Sequence, residues 1–141
     1  MRKEPAPWLL TAFAELGVEE TPGLESTPRI AEYLASVKQS ADDEIPWCAA
    51  FVNWCLYRCG IKGTGYANAR SYQTWGFRSE ARAPGDIVIM PRGSNVWQGH
   101  VAFYVQDIGY NILTIGGNQN NKVCFALVSK SSVLDYRTPI K

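Results

Sequence analysis

Apolar positions recur at helical spacing through the first half of this chain and at strand spacing through the second. Trp8, Leu9, Ala12, Phe13 and Leu16 form one stripe over Pro7 to Leu16, and Gly17 follows as a C-terminal stop. Thr27 and Pro28 start a second helix, the hydroxyl as cap and proline in the first turn. It is expected to run to about Val37 with Ile30, Tyr33, Leu34 and Val37 inward. Pro46 to Cys59, closed by Gly60, is apolar on nearly every side and is predicted to be the central helix. Ile45 is a poor cap for it, so Asp42 or Asp43 is expected to supply the acceptor. A short fourth helix is predicted from about Ala67 to Trp75, ending at Gly76.

After Pro84-Gly85 the period changes. Asp86 to Met90, His100 to Gln106, Asn111 to Gly116, Lys122 to Ser129 and Val133 to Arg137 read as five strands. Asp107-Ile108-Gly109 and Asn120-Asn121 supply turns between them. Helices followed by an antiparallel meander predict one α+β domain over residues 1–141.

Composition narrows the function classes. At 46% hydrophobic and 19% charged, the chain has the makings of an ordinary globular core. A net charge of +1 without a run of cations argues against nucleic acid as a partner. No stretch approaches the roughly 18 apolar residues of a membrane span, and Trp8-Leu9-Leu10 is interrupted by Thr11 and Glu15, so no signal peptide is expected. The expectation is synthesis in the cytoplasm, no membrane insertion, and a monomer.

Cysteines 48, 55, 59 and 124 lack the paired knuckles of a zinc site, and one histidine adds little. Asp42, Asp43 and Glu44 read as an acidic approach to a helix and not as a calcium site, so no metal or other cofactor is expected. The thiols differ in setting. Cys48 lies in the first turn of the central helix, where the dipole favours a thiolate. Cys55 is mid-helix, Cys59 lies at the carbonyl end, and Cys124 sits in a strand between Val123 and Phe125; all three are expected to be inert.

Cys48 as a nucleophile needs a base, and His100, at the start of a strand, is the single histidine. A two-residue turn at Ile108-Gly109 would set His100 opposite Gly117 with Asn118 beside it. Asn118 can then hold one ring nitrogen and leave the other to the thiol, as in a Cys-His-Asn set. Gly116-Gly117-Asn118-Gln119 also reads as a strand end or bulge. Trp47, Trp97, Gln98 and Gln119 flank these residues as candidate substrate-binding groups, with core packing the alternative for both tryptophans.

Four blocks in this order, Pro46-Trp47-Cys48-Ala49-Ala50-Phe51-Val52-Asn53-Trp54, Pro84-Gly85-Asp86-Ile87-Val88, Trp97-Gln98-Gly99-His100-Val101 and Gly116-Gly117-Asn118-Gln119, resemble the papain-like cell-wall hydrolases of the NlpC and CHAP type. The similarity covers nearly the whole chain and points to a small single-domain branch found in phages and Gram-negative bacteria. It implies a papain-like α+β fold, with a catalytic helix packed on a five-stranded, mostly antiparallel sheet. It further implies cleavage of peptide or amide bonds in peptidoglycan stem peptides, with Cys48 as nucleophile, His100 as base and Asn118 as orienting residue. A phage-type endolysin that reaches the wall after release is expected; a thiol acyltransferase or transpeptidase, or a secreted antibacterial amidase effector, are the alternatives on the same fold. Relatives often carry Ser or Thr near the helix start, where this chain has Ile45 and Ala49. The oxyanion is expected to be met by the Cys48 N–H and a second donor, for which Tyr33, Gln39 and the Asp42-Asp43 segment are candidates.

Overall fold

The computed structural model describes residues 5–19, 28–37, 47–92, 98–119 and 122–139. Three helices, α1 (Pro7–Ala14), α2 (Pro28–Ala35) and α3 (Cys48–Arg58), precede six strands. These are β1 (Phe77–Arg78), β2 (Ile87–Pro91), β3 (Gly99–Ile108), β4 (Asn111–Gln119), β5 (Lys122–Ser129) and β6 (Asp135–Thr138). The fold is α+β, and the sheet, ordered β1-β6-β2-β3-β4-β5, is antiparallel throughout. The expected count of five strands misses β1, a two-residue strand pairing β6 through Phe77↔Thr138 and Arg78↔Arg137. Two residues are too few to show a period. The expected fourth helix is a 3-10 helix, Ala69–Thr74.

The central position of α3 follows from its composition. Every residue from Cys48 to Leu56 is buried, against α1 and α2 on one side and β3 and β4 on the other. Ile87, Ile89, Val101, Phe103, Ile115 and Val123 supply the sheet's contribution to that core. Asn53, the polar residue within this apolar helix, is satisfied: its amide donates to the Ser36 carbonyl at 2.8 Å, and its Oδ1 accepts from Gly65 N at 3.1 Å. A second, smaller cluster of Val88, Met90, Ala102, Tyr104 and Ile112 fills the other face of the sheet.

Helix α1 is tied to the sheet at both ends. Trp8 Nε1 donates to the Gly85 carbonyl at 2.6 Å, and Gly17 N donates to the Val123 carbonyl at 3.0 Å. Gly85 has φ +102°, and a Cβ there would come within 2.6 Å of Ala6 Cβ, so the Pro84-Gly85 turn admits only glycine.

Two register changes set the residues near His100. The β3–β4 turn lies one residue later than expected, with Ile108 paired to Asn111, and a shift between Tyr104 and Gln106 inserts an extra residue into β3. Carried forward, this register sets Asn118, and not Gly117, opposite His100. A second shift, between Gly116 and Gln119, inserts an extra residue into β4 against β5. Thr27, the Asp42–Pro46 approach to α3 and the Asn120-Asn121 turn lie outside the described residues.

Gly117 passes close over the start of α3. A Cβ there would stand 2.7 Å from the Trp47 ring and 2.8 Å from Phe51 Cβ. Gly117→Ala is therefore expected to destabilise the fold by about 1–3 kcal/mol, the usual cost of overpacking. Thermal and denaturant unfolding would measure it, and an unchanged midpoint would contradict this packing.

Candidate active site

Cys48 is the first residue of α3 and 1% exposed. Trp47, the N-cap, makes no side-chain capping bond. The N–H groups of the first turn bear on the region of the thiol. His100 stands at the opening of β3, and its side chain and the Val101 backbone N–H both act on the thiol.

Gln119 decides how the imidazole is held. Its Nε2 donates to the Cys124 carbonyl at 2.6 Å, which fixes which end of the amide is which. Its Oε1 then meets His100 Nε2 at 2.9 Å and must act as acceptor. The proton of the neutral ring therefore sits on Nε2, leaving Nδ1 as a base toward Cys48. Gln119 reaches this place because the extra residue in β4 returns its side chain to the side of Gly116, whose added Cβ would lie 3.2 Å from Gln119 Oε1.

The electrostatics agree with the geometry. Burial pushes the Cys48 thiol up, but the hydrogen bond and charge of His100, the Val101 N–H and the charge of Arg92 outweigh it, and its pKa is lowered. Burial likewise works to lower His100, yet the hydrogen bond and charge of Cys48, with the Gln119 contact, leave it raised. The two shifts run in the directions that favour a thiolate beside an imidazolium. Cys55 lies at the other extreme, pushed far up by burial and by the charge of Glu15. Among the described residues, no group of three or more His, Cys, Asp or Glu side chains is arranged to hold a metal ion.

The structure thus brings Cys48 and His100 together as expected and gives Gln119 a different place. Anticipated as a substrate contact, Gln119 instead holds the histidine. Asn118 lies in β4 immediately before it, with its side chain outside the description. Trp47, also expected to touch substrate, is 3% exposed, stacked on Tyr33 at 5.8 Å and covered by Gly117; this corrects it to a core residue. Trp97 falls outside the described residues. Gln98 is half-buried, and its carbonyl accepts from Arg70 Nε at 2.6 Å. Tyr33 does not serve as an oxyanion donor, since its buried hydroxyl donates to Glu15 at 2.8 Å; Gln39 and Asp42-Asp43 are not among the described residues. Sequence reasoning did not find Val101 N–H, Arg70 or Arg92; the adjacency of Val101 to His100 was the one available signal.

Comparison with known proteins places this arrangement. The sequence pattern of one family, described as the CHAP domain, matches residues 40–118, more than half of the chain. In fold, the chain is similar to an NlpC/P60 family protein from Bacillus cereus, with TM-score 0.61 and 14% identity over 97% of this chain and 41% of that one. It is also similar to NlpC1 from Trichomonas vaginalis, with TM-score 0.58 and 17% identity over 96% and 45% of the two chains. The endolysin LysIME-EF1 aligns with TM-score 0.60 and 14% identity over 95% of this chain and 63% of its own. The chain thus spans about half the length of these structures. A search of the curated proteins found no match.

The shifted pair predicts how the thiols react. Because the Cys48 pKa is lowered, its thiolate persists below the ordinary thiol range of about 8.5 and is lost only as pH falls through the folded value. Because the His100 pKa is raised, the imidazolium persists above about 6.5 and is lost as pH rises through the folded value. Alkylation of Cys48 by iodoacetamide should therefore be rapid at neutral pH, and His100→Ala should move its pH midpoint upward. Peptide mapping of the alkylated protein would check both; slow labelling of Cys48 at neutral pH, equal to that of Cys55, would refute the couple.

Proposed function

Since the chain belongs to the CHAP domain family, we propose that it is a cysteine hydrolase cleaving peptide or amide bonds of peptidoglycan stem peptides. The observation that carries the reading is the Cys48–His100 couple, with the ring's far nitrogen fixed by Gln119. The names of the structural neighbours, NlpC/P60 proteins and an endolysin, support the substrate class.

The chemistry is acyl transfer. The Cys48 thiolate attacks a stem-peptide carbonyl, and charge moves to the carbonyl oxygen at the start of α3. There the Cys48 backbone N–H and the helix dipole meet it, and one such donor is typically worth about 3 kcal/mol. His100 gives its Nδ1 proton to the departing amine, leaving an acyl-enzyme. It next takes a proton from water, whose attack releases the acid and restores the thiol. Gln119 holds the tautomer throughout and takes the role first assigned to Asn118, so the set reads Cys48, His100, Gln119. A phage-type lysis role, acting on the wall after release, is the biological setting that fits this activity.

Digestion of purified peptidoglycan, with fragments read by mass spectrometry, tests the proposal. Wild type should generate new amine and carboxyl ends that name the bond, and Cys48→Ala should abolish them, a loss on the order of a million-fold for a nucleophile that acts with its base as one unit. Intact peptidoglycan after incubation with reduced, alkylatable enzyme would reject the hydrolase. Gln119→Ala should lower kcat about tenfold to a hundredfold, the scale of losing an imidazole's orienting partner, with KM little changed. If Asn118→Ala produced that loss and Gln119→Ala did not, the orienting role would return to Asn118.

A further inference from the structure

The arginines of this protein are not distributed evenly in their partners. Arg29 lies against Glu15 and Glu32, Arg82 against Asp107, and Arg78 and Arg137 against Asp135. Arg58 sits over the Trp54 ring at 5.3 Å. Arg70 and Arg92 likewise have no carboxylate partner among the described residues, and both flank the start of β3. Arg92 directly follows Pro91, which pairs across the ladder with Gly99, while Met90 pairs with His100. Arg70 reaches the same point from the 3-10 helix. Its Nε donates to the Gln98 carbonyl, and a Cβ on Gly99 would lie 2.9 Å from its Cγ. That bond occupies one of five guanidinium donors and leaves the terminal nitrogens available.

Neither guanidinium is held here by a carboxylate among the described residues, and both stand beside the strand that carries the imidazole. The end of β2 sets Arg92 beside the start of β3, and its charge acts on both Cys48 and His100. The side matters as well. The arginines bracket the strand that presents the imidazole, and the imidazole protonates the departing amine. An anionic group read by them belongs to the leaving half of the substrate. Planar, bidentate recognition of a carboxylate is what a guanidinium does better than an ammonium.

We propose that Arg92, supported by Arg70, is a specificity-determining residue that binds a free carboxylate on the residue whose nitrogen departs. This rests on the hydrolase reading above and adds to it a requirement for an acidic leaving group.

The test uses two soluble muropeptides that are identical except on the residue donating the scissile nitrogen, where one carries a carboxylate and the other a carboxamide. Wild type should favour the acid by at least about tenfold in kcat/KM, the worth of one charge-assisted hydrogen bond. Arg92→Gln should bring that ratio close to one, and Arg92→Lys should leave an intermediate value, the charge being kept and the fork lost. Neutral-pH alkylation of Cys48 in each variant confirms that the site is folded. Equal cleavage of both substrates by wild type, or a preference that survives Arg92→Gln, overturns this proposal alone. Cleavage of neither, with Cys48 alkylating normally, overturns the hydrolase reading and this one with it.

Discussion

A thiol that is 1% exposed gives up its proton only where several groups bear on it together. Removing a single charge from water costs several kcal/mol, and one partner in poor geometry does not offset it. At Cys48 the compensation comes from three directions: the imidazole of His100, the Val101 N–H, and the first turn of α3. Cys48 and His100 are 52 residues apart in the chain, so they coincide only if α3 and β3 pack with fixed offset. The edge-to-face contact of Phe51 with Phe103, centroids 6.4 Å apart, lies one helical turn and three strand residues away from the pair. The apolar character of α3 is thus a condition of the chemistry as well as of folding.

The helices hold the first turn of α3 from below. Tyr33 of α2 meets Trp47, Phe51 and Trp54, with centroids at 5.8, 5.1 and 5.0 Å. Its hydroxyl would be costly to bury alone, but it donates to Glu15 at the end of α1, and Glu15 in turn bonds Arg29 Nε at 3.0 Å. Burial and then Glu15 push the phenol pKa far up, so it stays a donor. The network joins α1, α2 and α3 at the level of Trp47, the residue before the nucleophile. Burial of Trp47 is the result, and it explains why an aromatic beside the thiol is not a substrate platform here.

What the sequence made legible follows from signal length. An apolar run of eleven helical residues, a lone histidine and strands of eight to ten residues each carry their own pattern, and the family blocks sit on them. The α+β class and the Cys48–His100 pair were readable for that reason. The step of one residue from Asn118, expected beside His100, to Gln119, whose Oε1 meets the ring, has a different origin. A side-chain period of two makes any single insertion reverse the face, and two insertions intervene, at the β3 shift and at the β4 shift. The second leaves no mark in the hydrophobic pattern, since Gly116 and Gly117 have no side chains to alternate. The roles of Arg70 and Arg92 were hidden because a cation without a carboxylate partner is visible only once the ion pairs of the described residues have been located.

The neutral third member has an electrostatic consequence. A carboxylate behind the imidazole would stabilise its positive form by charge; Gln119 can fix the tautomer and accept the Nε2 proton but brings no charge. The imidazolium therefore relies chiefly on the Cys48 thiolate, and each member of the pair is the other's principal counter-ion. Arg92 acts on the two with opposite effect, since a positive charge favours the thiolate and disfavours the imidazolium. Its contribution to the couple is largely self-cancelling with respect to forming the ion pair, while it lowers the proton affinity of both groups. A cation kept at such a place does little for the resting enzyme, and its energetic return comes when an anion arrives beside it.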